Sequence, residues 1–219
     1  MSTLVGAQIV TPGDWTDLDL DPATRHRSIV SAVRRAVASD VALAGYSVRL
    51  ITLLDDVARR AYDSGGFFCS SLVLSSDDGV LVANVLMQLS DGVGSGGVDG
   101  SGGGDGSGVL GGPGAAIEVC AGLAAAVSCD PDWEDADVTV VTLPLVGPAV
   151  RVEVVDGGVC VQYLVPVPDS SQQIVLTFTS PCPPFAGALI ELFDSMAASF
   201  ALEYAGDDCV PADSAAPNG

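Results

Sequence analysis

The chain has 219 residues, is 48% hydrophobic but only 5% aromatic, and carries eight arginines, no lysine and 28 acids for a net charge of −20. A protein that grips phosphate backbones needs a basic face, so this balance argues against nucleic acid as a partner and disfavours an anionic membrane surface. The length suffices for one core, aliphatic rather than aromatic, that folds without disulfide or metal staples.

The charge is unevenly placed. Residues 1–60 hold seven Arg and seven acids, whereas residues 61–219 hold one Arg, Arg151, against 21 acids. The surplus reads as solvated surface. The N-terminal MSTLVGAQIVTPGDW has no basic leader and is broken by Gly6 and Gln8, so it does not read as a secretory signal. The longest apolar stretch, Ala115 to Val127, is too short to span a bilayer and contains Glu118. A cytoplasmic location is therefore expected. There Cys69, Cys120, Cys129, Cys160, Cys182 and Cys209 stay reduced. No C-x-x-C pair occurs and the chain has one histidine, so no metal ligand set is expected.

Residues 1–20 read as an extended arm that lies on the body through Trp15. Asp21-Pro22 is a helix start, since Asp caps orphan N–H groups and Pro suits the first helical position. Ile29, Val33 and Val37 then share one face as far as Ser39-Asp40. A second helix, from about Ser47 to Ser64, buries Leu50, Leu54, Val57, Ala58 and Ala61. Its opposite face offers i,i+4 pairs Asp55–Arg59 and Asp56–Arg60, and Gly65-Gly66 stops it. Runs Phe67–Leu74 and Val80–Leu89 flank Asp77-Asp78-Gly79 as a β-hairpin. From Ser90 to Gly114 all periodicity is lost, and the Gly/Ser/Asp composition is that of a flexible linker spanning roughly 25–30 Å. An Ala-rich third helix covers Ala115 to Ser128, and Asp130–Asp137 is an acidic loop that includes Trp133.

Four alternating runs close the chain. Val138, Val140 and Leu143 make the first; Val150, Val152 and Val154 the second; the run through Val159 and Val161, joined to it by Asp156-Gly157-Gly158, the third; Ile174, Leu176 and Phe178 the fourth. Their connections are too short for parallel crossovers. Phe185, Leu189, Leu192, Phe193, Met196 and Phe200 then recur at helical spacing. The expected architecture is α+β: a largely antiparallel sheet of about six strands packed by this C-terminal helix, with two N-terminal helices and the third helix on either sheet face. The organisation reads as residues 1–66 for arm and helical pair, 67–202 for the sheet domain interrupted by linker 90–114, and 203–219 as a disordered tail.

The motifs VQYLVPVP, IVLTFTSP and ELFDSMAASF within Val159–Phe200, together with the Trp-x-x-Leu-x-Leu-Asp-Pro segment from Trp15 to Pro22, resemble a group of uncharacterised actinobacterial proteins. More distantly, the late strands and final helix resemble the PsbP/Mog1-type α/β/α sandwich. That resemblance implies an architecture and a binding or accessory role, with no activity attached.

The reactive chemistries are thin. Gly92-x-Gly94-x-x-Gly97 matches a dinucleotide fingerprint only as any glycine tract does, opens no helix in a βαβ unit, and is read as linker, as are Asp99 and Asp105 within it. With no lysine there is no Walker lysine. Asp130, Asp132, Glu134, Asp135 and Asp137 offer oxygen ligands, but Asp135 and Val141 stand where a calcium loop needs Gly and Glu. His26, between Arg25 and Arg27 and beside Ser28, has no acid placed to orient it. No catalytic, cofactor-binding or metal-binding residue is therefore nominated. Trp15, Phe67, Phe68 and Trp133, near element ends, are candidates for a partner-docking patch. The expected function is a non-catalytic cytosolic adaptor or chaperone-like accessory module with a protein partner, of the secretion- or toxin-associated kind. The alternative is a small-ligand or divalent-metal-binding protein, or an enzyme, using the sheet face or the Asp130–Asp137 loop.

Overall fold

The structure, a computed structural model, describes residues 4–76, 79–91, 113–129 and 133–205. In chain order the elements are β1 (Leu4–Gln8), β2 (Trp15–Asp17), α1 (Arg25–Ser39), α2 (Ser47–Asp63), β3 (Gly66–Ser76), β4 (Gly79–Asp91), α3 (Pro113–Ser128), β5 (Asp137–Leu143), β6 (Gly147–Val155), β7 (Val159–Pro166), β8 (Gln172–Ser180), α4 (Ala186–Ala197) and β9 (Ala201–Tyr204). Seven strands form an open sheet in the order β2-β3-β4-β8-β7-β6-β5, and every neighbouring pair is antiparallel. The late strands form a meander, as their short turns require; Gly157 supplies the positive φ of +63° between β6 and β7. The early hairpin is not separate from it. β4 adds to β8 in register from Asn84↔Thr179 to Asp91↔Gln172.

The count exceeds the expected six because short segments find edges. Trp15–Asp17 pairs with Ser70–Leu72 as the outermost strand on that side. Glu203 and Tyr204, expected in the tail, belong to β9, which pairs with β1 as a separate two-stranded sheet tying the two ends together. Residues 92–112, which hold most of the expected linker, and 206–219 lie outside the described residues.

Strand alternation divides the apolar residues between two faces. One face presents Val85, Met87, Val161, Tyr163, Ile174, Leu176 and Phe178 to Leu189, Phe193 and Met196 of α4 and to Phe200 just beyond it, forming the principal core. The other face carries two helical layers side by side. α1 and α2 bury Ile29, Leu50, Leu54, Ala58 and Ala61 over Cys69 and Val82, while α3 buries Cys120, Leu123 and Val127 over Val150, Val152 and Leu164. The third helix thus lies opposite the last one.

Two local expectations change. The α-helix begins at Arg25, because residues 21–24 form a turn in which the Asp21 carbonyl accepts the N–H groups of Thr24 and Arg25. On α2, Arg59 pairs with Asp56 at 2.6 Å, and Asp55 turns to the α1 seam, 3.7 Å from Arg25 Nε and 3.6 Å from His26 Nδ1. Asp55 is half-buried there, so a partner on the neighbouring helix displaces the expected i,i+4 one.

The α2–β3 junction depends on a glycine. A Cβ at Gly66 would sit 2.5 Å from Leu86 Cδ1 and 2.7 Å from the Ala61 carbonyl oxygen. The leucine methyl can turn away; the helix carbonyl cannot. Gly66→Ala is expected to lower unfolding free energy by about 1–2 kcal/mol through overpacking, read as an unchanged m-value with a lower denaturant midpoint. A midpoint equal to that of the unsubstituted chain would show that α2 has room to move.

Candidate functional site

A concavity lies where α2 begins. The chain enters α2 through a 3-10 turn, Val41–Tyr46, whose first N–H groups are held by Asp40: its carboxylate accepts the Ala42 N–H at 3.0 Å and also the hydroxyl of Ser75 on β3. The Ser75 hydrogen bond, with Ala42, holds the Asp40 carboxyl below the usual aspartate value. Leu43 points inward and is buried, whereas Val41 and Val48 are 78% and 77% exposed and Tyr46 stands half out of the surface. Beside Tyr46 lies a cavity of about 320 Å³. Tyr46, Arg49, Leu50 and Leu53 form one wall; Gly79, Val80 and Val82 of β4 and Pro181 after β8 form the other.

The lining is aliphatic with one phenol and one guanidinium. Arg49 makes no ion pair among the described residues. Such a cleft suits an apolar group that ends in, or neighbours, an acceptor or anion, since small-molecule and peptide sites combine apolar walls with few placed polar groups. A shallower dent of about 210 Å³ lies between Val10, Pro12 and the Leu192, Ser195, Met196 and Ser199 side of α4; its lining carries no charge.

The four aromatic residues singled out from the sequence are not brought to one surface. Trp15 is buried in the principal core, and Phe68 packs half-buried against the same cluster. Trp133 packs half-buried on the α3 layer. Phe67 is 49% exposed, because the β3–β4 register slips between Gly66 and Phe68 and leaves Phe67 as the extra residue of a bulge. Of the acidic loop, Asp130 and Asp132 lie outside the described residues, while Glu134, Asp135 and Asp137 are exposed. Among the described residues no group of three or more His, Cys, Asp or Glu is placed to hold a metal ion. No described helix is long and apolar enough to cross a membrane.

A polar cluster escaped the sequence reading. Arg151 on β6 donates to Glu153 at 2.6 Å and to Asp194 of α4 at 3.1 Å, and the Tyr163 hydroxyl on β7 donates to the same Asp194 oxygen. Burial, then Asp194, raises the Tyr163 proton affinity; burial alone would lower that of Arg151, but its bonds to Glu153, Tyr163 and Asp194 outweigh this and raise it. A phenol so held is neither base nor nucleophile at neutral pH. The cluster is a clamp joining α4 to β6 and β7. The available signal was that Arg151 is the one basic residue after position 60, with Glu153 two residues on and so on the same strand face.

The thiols separate by burial. Cys69 is buried and its proton affinity is pushed up to about 12 by burial and then by Asp17, whereas Cys129 is exposed. With thiolate as the reactive form, Cys129 should label with an aromatic disulfide reagent at pH 8 within minutes, and Cys69 only at the unfolding rate. Labelling of Cys69 at a denaturant-independent fast rate would mean that the α2–β3 layer opens locally.

No family model matches the chain, and no curated protein matches it.

Proposed function

We propose that this is a non-catalytic, cytosolic protein-binding module of the adaptor or chaperone-like accessory kind. It takes an apolar side chain of a client segment into the cavity between α2 and β4, with a carboxylate of that segment near Arg49. The observation that carries this reading is an aliphatic cleft walled by Leu50, Leu53, Val80, Val82 and Pro181, with the half-exposed Tyr46 and the one guanidinium of Arg49 in its lining. An apolar concavity with a few placed polar groups is the usual form of a binding site. The acid excess keeps nucleic acid out of consideration. The accessory role also agrees with what the resemblance to the actinobacterial group and, more distantly, to the PsbP/Mog1-type sandwich implies.

Selection of a random peptide library on the full chain tests it. The expected peptides share a bulky apolar residue next to Asp, Glu or the free carboxyl terminus, and their affinity drops at least tenfold on Leu53→Asp and on Arg49→Glu. Peptides indifferent to both substitutions, or no convergence at all, would refute the proposal. The cavity volume also lies at the lower end of the small-ligand range, which favours a small amphipathic acid as the second reading. Thermal stabilisation by one such acid, abolished by Arg49→Glu in a chain that selects no peptide, would establish it instead.

A further inference from the structure

The sheet's two edges are treated differently. On one side the outermost strand is β2, only three residues long, laid on Ser70–Leu72 of β3; beside it the Leu18 N–H donates to the Cys69 carbonyl at 2.8 Å, and Ser75 bonds Asp40 of the helical layer. On the other side β5 pairs with β6 over its whole length, and among the described residues no strand pairs with its outer edge. Alternate N–H and C=O groups of a seven-residue strand are thereby left pointing outward. The usual defences of such an edge are absent from it. Asp137–Leu143 contains no proline and no lysine, runs Val138-Thr139-Val140-Val141-Thr142 without a charge, and shows no bulge against β6.

The helix above this edge repeats the pattern. α3 packs on β5 and β6 and has a single charged residue, Glu118, in 16. Its inward row is Cys120, Leu123 and Val127. Its outward residues include Ile117 at 53% exposure, Val119, Ala121, Gly122 and Ala125. A helix apolar on every side is one that is covered on every side, and Val140, 44% exposed on the same sheet face, extends the apolar surface to the strand.

We infer that β5 pairs antiparallel with β5 of a second copy of this chain about a two-fold axis at Val140, joining two seven-stranded sheets into one and bringing the two α3 helices together on the same face. The sequence of the edge selects a second copy as the occupant. Overlaid on itself in reverse, β5 sets Val140 opposite Val140, Thr139 opposite Val141 and Val138 opposite Thr142, all β-branched cross-strand pairs, which favour pairing. The one charge on the strand, Asp137, then faces Leu143. The two aspartates stand at opposite ends, roughly 20 Å apart at 3.4 Å per residue, about twice the Debye length in 0.1 M salt. This inference is independent of the cavity at α2, which lies over the opposite half of the sheet.

Sedimentation and light scattering of the full chain give the first test. A dimer is expected, tighter at high salt than at low, because each copy carries a net charge of −20. Val140→Lys should shift the dissociation constant at least a hundredfold and leave the far-ultraviolet dichroism unchanged. The register has its own readout. In a chain with Cys129 and Cys209 replaced by Ser, Val140→Cys should oxidise to a covalent dimer in high yield, since facing residues on antiparallel strands lie within disulfide reach, and Val138→Cys should not. A monomer at all concentrations, a dimer indifferent to Val140→Lys, or equal cross-linking from both cysteines overturns the inference.

Discussion

Phe193→Ala should lower the unfolding free energy by about 3–5 kcal/mol, the range for emptying a buried aromatic site, and the melting temperature by about 6–20 °C for a domain of this size. Phe193 is wholly buried where α4 crosses the centre of the sheet. Its ring stacks on Phe178 of β8, centroids 5.1 Å apart, and Phe178 in turn meets Tyr163 of β7 edge-on at 6.1 Å. Three elements therefore share one aromatic contact chain, and emptying its α4 end leaves a void in a close-packed core. A total stability of 5–15 kcal/mol is usual, which makes this single change a large fraction of it. Urea unfolding followed by tryptophan fluorescence reads the loss, with Val41→Ala, 78% exposed in the turn before α2, as the control expected within 0.5 kcal/mol. A loss below about 1 kcal/mol at Phe193 would mean that α4 does not seal the core as the structure has it.

The elements legible in advance were those whose information is local. Leu189, Phe193 and Met196 lie three and four residues apart, which marks a buried helix stripe whatever it packs on. Asp156-Gly157 specifies its own hairpin. The antiparallel α+β arrangement followed from short connections alone. What was hidden is non-local. Nothing near Asn84 or Thr179 announces that β4 will dock on β8, because the two strands are nearly a hundred residues apart and their ladder is made of backbone groups common to every residue. The same holds for β1 and β9. Aromatic residues at element ends do not reveal which way they turn: Trp15 enters the core while Phe67, at a bulge, does not. The cavity escaped notice because its walls come from residues 46–53, 79–82 and 181, and a concavity is a property of their juxtaposition. Arg151 differs, since a lone cation on an apolar strand in an acid-rich stretch has to find partners if it is to be half-buried.

That cation carries the second large expectation. Arg151→Ala should destabilise the chain by about 2–4 kcal/mol. Breaking a fully buried ion pair from one side costs about 3–5 kcal/mol, but the Asp194 side chain is 45% exposed, and water recovers part of the loss. The change leaves Glu153 and Asp194 without a counter-charge and strips a packed aliphatic stem from β6. Tyr163→Phe separates the phenol from the cation. The Tyr163 proton affinity is raised above the ordinary phenol value of 10.0, by burial first and the Asp194 hydrogen bond second. Its contribution is therefore complete below pH 10 and is lost as the pH climbs further, since the unfolded state then gives up its proton before the native state does. The unsubstituted chain should lose more stability than Tyr163→Phe between pH 9 and pH 11, and Cys69, present in both, cancels from the difference. Parallel pH profiles would place the hydroxyl in water. An Arg151→Ala chain within 0.5 kcal/mol of the parent would mean that apolar contacts alone seat α4 on β6 and β7, and that the charges merely gather at its edge.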